Sequence, residues 1–155
     1  MNISSITLDG KTNTAFTVFK DMCFYAAKRG SPKVELIDLL IGIAGQFHGP
    51  AGIILRETIN QIDDPLAKHS AIEYLEKIAL EHKAEPKETT SLELHPVISG
   101  VILASEEKKK NGTLCSLDLL LAIADNLPIE RFGINPEKLK ASISKYQEWQ
   151  KLRFR

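Results

Sequence analysis

The chain offers little material for covalent or metal chemistry. It has two cysteines, Cys23 and Cys115, with no Cys-x-x-Cys spacing between or around them. In a chain long enough to bury a good core, such a pair reads as reduced, packed thiols and not as a disulfide framework. Net charge is also missing, because twenty basic residues face twenty acidic ones. The electrostatic funnel by which most nucleic-acid binders collect phosphates is therefore absent, and a DNA or RNA partner is not expected. No stretch approaches the roughly 18 apolar residues of a membrane span, and Met1 to Ser5 carries no basic region ahead of an apolar run. The expectation is a cytoplasmic protein with no membrane partner. No period-two strand pattern of useful length occurs either.

Catalytic and cofactor motifs fail one by one. Gly10-Lys11-Thr12 ends like a phosphate-binding loop, but the motif's first glycine falls on Ser5 and no strand precedes it. His48, His69, His82 and His95 lack the close spacing of zinc ligands, and nothing in sequence pairs them with the cysteines. There is no Gly-x-Ser-x-Gly elbow, and neither cysteine has an adjacent histidine to activate it. Asp63-Asp64 is followed by Pro65, which makes a helix cap a simpler reading than a carboxylate pair. No catalytic residue, metal or cofactor is expected.

What is present is helical grammar. With 155 residues, 43% hydrophobic and 26% charged, the chain has the size and composition of one globular domain spanning 1–155. Ala15, Phe19, Met22, Cys23 and Ala26 recur at the spacing of one helix face from about 14 to 29, where Gly30-Ser31-Pro32 stops it. A helix from about 35 to 46 is apolar around most of its circumference, as a central buried helix would be. A short helix through Ile53 follows, and Asp64-Pro65 opens another that should run to about His82. Residues 83–91 read as a loop. Beyond it come a helix from about 95 to 109, one capped by Ser116, and one opened by Asn135-Pro136 that runs toward Trp149.

The two halves are copies of each other. Val34-Glu-Leu-Ile-Asp-Leu-Leu-Ile-Gly-Ile-Ala matches Leu114-Cys-Ser-Leu-Asp-Leu-Leu-Leu-Ala-Ile-Ala at a constant offset of 80, with Asp, Leu, Leu, Ile and Ala identical. Downstream, Ile59-Asn60 answers Ile134-Asn135. The fold expected is all-α, a pseudo-twofold duplicated four-helix repeat of about eight helices, with repeat one at about 14–82 and repeat two at about 92–150. Asp38 and Asp118 fall at equivalent helix starts, where each should contribute on the order of 1 kcal/mol as a cap or hydrogen-bond partner.

One residue sits where the period does not want it. With Ala15, Phe19, Met22 and Ala26 inward, Phe24 falls among Thr17, Lys20, Asp21 and Lys28, with Phe16 and Ala27 toward the border. A large aromatic between charges is either covered by another part of the chain, such as Ile3 to Leu8, or offered to a partner.

The paired Asp-Leu-Leu segments, each following an Ala-containing helix and a glycine turn, resemble the double repeat of Clp-type AAA+ N-terminal domains over nearly the whole chain. Leu8-x-Gly10-Lys11-x-Asn13 and Arg29-Gly30-Ser31-Pro32-x-Val34-Glu35-Leu36 are most similar to the ClpV type of bacterial type VI secretion systems. The resemblance implies a domain, monomeric by itself, tethered to an ATPase expected to be hexameric. It would bind an amphipathic N-terminal helix of the large sheath subunit so that the contracted sheath can be taken apart. The groove used in that family lies near the first helices, which implies Ile6, Leu8, Phe16, Lys20, Phe24 and Ala27 as the peptide-binding residues here. Two other readings stay open: an N domain of a general Clp chaperone serving adaptors or unfolded clients, and a free-standing regulatory protein. Clp domains that read phosphoarginine carry a glutamate where this chain has Ile37 and Leu117, and a histidine where it has Asp38 and Asp118. That ligand is not expected.

Overall fold

In the computed structural model, residues 13–31, 33–81, 93–94, 96–108 and 115–153 are described. The first helix, α1 (Asn13–Lys28), turns Val18, Phe19, Met22 and Ala26 into the core. It ends where the sequence says it should. Gly30 adopts a φ of 73°, Ser31 N–H bonds to Ala26 O and Gly30 N–H to Ala27 O, each at 3.0 Å. This is the Schellman closure, which needs a left-handed residue that glycine adopts without a Cβ clash.

Strand β1 (Lys33–Val34) then leads into α2 (Leu36–Ala44), whose nine residues are all buried. Helix α1 packs along α2, and α3 (Pro50–Asn60) and α5 (Ala71–Glu81) cover other sides of it. The second half repeats the plan. Helix α6 (Pro96–Lys108) packs along α7 (Ser116–Asn126), and α8 (Pro136–Arg153) lies against both α7 and α3. Counting the short α4 (Pro65–His69), there are eight α-helices among the described residues, in the duplicated all-α arrangement that the sequence predicts.

The duplication shows in the hydrogen bonds as well as in the letters. The amide of Glu35 donates to Asp38 Oδ2 at 2.9 Å, and the amide of Cys115, 80 positions on, donates to Asp118 Oδ2 at 3.1 Å. In each copy an aspartate in the first helical turn reaches back to the amide of the capping residue. One core holds the two copies together, running from Val18 and Leu40 to Leu120 and Ile143.

Four expectations need correction. Ser116 is not the cap of α7: it is the first helical residue and is buried, and Cys115 takes the cap position because Asp118 reaches back to it. The helix expected from 64 to 82 is broken at Ser70, which is extended (φ −154°, ψ 116°) and accepts a hydrogen bond from the Glu73 amide at 3.2 Å. A serine offering its oxygen to a new helix start has won over continuous propagation. Ile59 and Ile134 are both buried, but the asparagines after them differ in role. Asn60 donates to Ala67 O, whereas Asn135 caps α8 by accepting from the amides of Glu137 and Lys138. The residue with Asn135's role in the first copy is Asp64, which accepts from the amides of Leu66 and Ala67. Finally, β1 pairs in parallel with a two-residue strand, β2 (Glu93–Leu94), in the register Val34 to Leu94. Two residues are too short for an alternating pattern to be visible.

Tyr74 links the copies. Its hydroxyl donates to Phe132 O at 2.6 Å, reaching from α5 into the 3-10 turn Ile129–Phe132. Tyr74→Phe removes that donor with little change in volume. It should lower stability by about 1 kcal/mol, or about 2–4 °C in Tm, as read by thermal melting.

Candidate functional site

The outer face of α1 is a polar stripe interrupted by one ring. Thr17, Lys20, Phe24 and Ala27 are all exposed and lie at the three- and four-residue spacing of one helix face. Phe24 is 61% exposed and meets Tyr25 edge-on, with ring centroids 5.5 Å apart. Among the residues named from sequence, the structure thus places Lys20, Phe24 and Ala27 together on one surface. Phe16 lies one turn earlier in α1, but its side chain is outside the described set, as are Ile6 and Leu8 altogether.

Beside this stripe is a recess the sequence reading missed. It has a volume of about 180 Å³ and lies between α1 and α5, which both pack on α2. Tyr25, Ile41, Ala79 and Leu80 form its apolar lining. At its inner side lies a buried ion pair, Arg29 Nη2 to Asp38 Oδ2 at 2.6 Å with Nε to Oδ1 at 3.3 Å. Burial pushes the Asp38 carboxyl above its usual range, outweighing the hydrogen bonds from Arg29 and the Glu35 amide that pull it down. Tyr25 is also held above the usual phenol value, mostly by burial and further by the charges of Glu76 and Asp21. The phenol therefore stays neutral and can only donate or accept a hydrogen bond at neutral pH.

A signal for the recess does exist in the sequence. Leu80 lies on the same helix face as Glu73 and Glu76 and is 62% exposed, an apolar residue out of period as Phe24 is.

Among the described residues the other candidates hold no reactive geometry. The Cys23 thiol is pushed up by burial and then by the nearby Asp38 charge. Cys115 is pushed up by burial and by the hydrogen bond it gives Asp118 at 3.1 Å. Both stay protonated, the opposite of an activated nucleophile. His48 and His69 are exposed, while His82 and His95 lie outside the described residues. Among the described residues no group of three or more His, Cys, Asp or Glu side chains is placed to hold a metal, and no helix is long and apolar enough to cross a membrane. Exposed Phe47 lies against Arg56, whose guanidinium carbon is 5.1 Å from the ring centroid. That guanidinium donates to Ala44 O, Gln46 O and Phe47 O, so it serves to close the end of α2.

An exposed aromatic on the first helix thus lies next to an apolar recess on a duplicated helical scaffold. The same scaffold occurs in solved structures. The N-terminal domain of the Clp-protease-associated chaperone ClpD from Arabidopsis thaliana superposes with a TM-score of 0.64 at 17% identity, covering 91% of this chain and 99% of that one. A structure from investigations of a malarial protein secretion system gives a TM-score of 0.66 at 15% identity, covering 88% and 94%. No family model and no curated protein matches the sequence. The chain therefore has the fold of a Clp chaperone N-terminal domain.

Proposed function

We propose that this chain is the partner-recognition N-terminal domain of a ClpV-like AAA+ unfoldase, and that it grips an amphipathic N-terminal helix of the large type VI sheath subunit. The observation that carries this reading is Phe24, a large aromatic left 61% exposed in a polar stripe of α1. Fully burying such a side chain is worth about 1.5–3 kcal/mol, and a helix laid across the exposed part of Phe24 would recover the share still forgone. The segment from Arg29 to Leu36 supports the ClpV type among Clp domains. Titrating residues 1–155 with synthetic N-terminal helices of sheath subunits tests it. Saturable binding at micromolar concentration is expected, and no binding to any of them would remove the type VI assignment.

The likeness to the ClpD domain favours one alternative, an N domain of a general Clp chaperone. Binding of adaptors or unfolded clients in preference to sheath helices would establish that alternative. In either case ATP turnover would belong to modules outside this sequence, because the chain has no phosphate cradle. Calorimetry with ATP should show no saturable binding to residues 1–155, and a micromolar isotherm would overturn this.

A further inference from the structure

The recess between α1 and α5 has features that point to a particular occupant. At about 180 Å³ it is smaller than the roughly 300 Å³ or more of ordinary small-molecule sites. It is slightly larger than the cavity of about 150 Å³ that accepts a benzene ring. That size fits one aromatic or branched aliphatic side chain. Its walls, Tyr25, Ile41, Ala79 and Leu80, are apolar apart from the Tyr25 hydroxyl, and the ion pair behind them is already satisfied.

The rim is different. Lys28, in the last turn of α1, and Glu76, in the middle of α5, also line the recess, one from each helix, and no described residue forms an ion pair with either. A lone apolar group flanked by one charge of each sign is what an amphipathic helix presents when an anchor has an acidic residue one turn to one side and a basic residue one turn to the other.

We infer that this recess receives a single aromatic or branched aliphatic anchor from a partner's amphipathic helix, with the helix fixed in direction by an acidic residue at Lys28 and a basic residue at Glu76. This rests on the peptide-recognition reading above, but not on the sheath subunit as the partner. The side chains of Phe24 and Tyr25 are in edge contact, so a helix crossing Phe24 can reach the recess without leaving the surface of α1. The two charges select among apolar helices and set their orientation, while the anchor supplies most of the affinity.

The test uses the full chain and short stapled helices of designed sequence. One carries a phenylalanine anchor with Glu one turn to one side and Lys one turn to the other, a second has alanine for the anchor, and a third has Glu on both sides. The first should shift the methyl resonances of Ile41, Ala79 and Leu80 on binding, and the second should bind at least about tenfold more weakly. Leu80→Glu, at an exposed position, should weaken the first peptide by at least about tenfold with an unchanged melting curve. Should that variant fail to fold, Glu76→Lys keeps the question open to test. Wild type should prefer the mixed-charge helix over the Glu/Glu helix by several-fold, and Glu76→Lys should reverse the order. Binding of the first peptide that leaves those three methyls unmoved, no binding of it, or a charge preference indifferent to Glu76→Lys would overturn the inference. If sheath helices fail to bind while the designed helix shifts the three methyls, the type VI partner is wrong and the recess stands. The converse result leaves the partner and removes the recess.

Discussion

Asp38→Ala should destabilise the domain by about 3–5 kcal/mol, whereas Asp118→Ala should cost only about 1 kcal/mol. The two aspartates sit at matching positions of the two copies and accept the same backbone bond, from Glu35 in one copy and Cys115 in the other. They differ in what else they hold. Asp38 is fully buried and carries the Arg29 guanidinium, whose side chain is only 5% exposed, whereas Asp118 is partly exposed and takes a weak thiol donor. The buried pair is not itself a large source of stability, because desolvation of Asp38 outweighs its hydrogen bonds. The cost arises on removal, when the buried Arg29 guanidinium loses the carboxylate at 2.6 Å while Glu35 stays at 3.6 Å. Thermal melting of the two variants should separate them by about 10 °C, taking about 2–4 °C per kcal/mol for a chain of this size. Arg29→Met together with Asp38→Asn should recover part of the loss, since neither side chain then leaves an unpaired charge. Equal melting temperatures for the two single variants would show that the ion pair has no special weight and that the cap alone accounts for both.

That asymmetry also marks the limit of what the sequence discloses. The duplication was legible because five identical letters at a fixed offset sit on helices whose apolar spacing already announced them, and the aspartates could be assigned to helix starts from their position alone. The difference in their burial was not legible. It depends on Arg29 folding back from the end of α1 onto α2, a contact between residues that no period relates. Gly52 is a similar case. A Cβ there would fall 2.1 Å from Gln46 O, so α3 can approach the end of α2 only without a side chain, yet the letter reads as an ordinary glycine inside an apolar helix. The outward position of Phe24 was legible for the opposite reason. Exposure on one helix is a matter of period, and the period of α1 is strong. The recess escaped because it needs two helices and a floor at once. Tyr25, Ile41 and Leu80 come together only when α1, α2 and α5 are assembled, although Leu80 alone carried the same off-period signal as Phe24.

Phe24→Ala should weaken binding of the sheath helix by at least about tenfold while leaving the melting curve of the domain unchanged. The second half of the expectation follows from exposure. The ring is 61% accessible and its one described ring contact, the edge of Tyr25, is worth on the order of 1 kcal/mol at most in a buried setting and less here. The first half follows from how interfaces distribute their energy. A central aromatic that becomes desolvated on binding commonly contributes about 2 kcal/mol or more, beyond the roughly 1.4 kcal/mol that a tenfold change requires. Lys20, four residues earlier on the same stripe and exposed, belongs to the rim. Lys20→Ala should therefore change the salt dependence and on-rate of association more than the dissociation rate. Leu8→Ala and Phe16→Ala should weaken the helix less than Phe24→Ala does. The measurement is a titration of each variant with the same labelled helix, paired with a melt. If Phe24→Ala binds as wild type does while Leu80→Glu does not, the partner approaches from α5 and the outer stripe of α1 is only a solvated face. If neither substitution matters, neither the stripe nor the recess is where the partner binds. If Phe24→Ala alone reduces binding, the partner crosses α1 without inserting an anchor beside it. Loss with both places the helix across the α1 stripe with its anchor beside α5, and it is the outcome expected from a ring at the surface and a recess of one side chain's volume next to it.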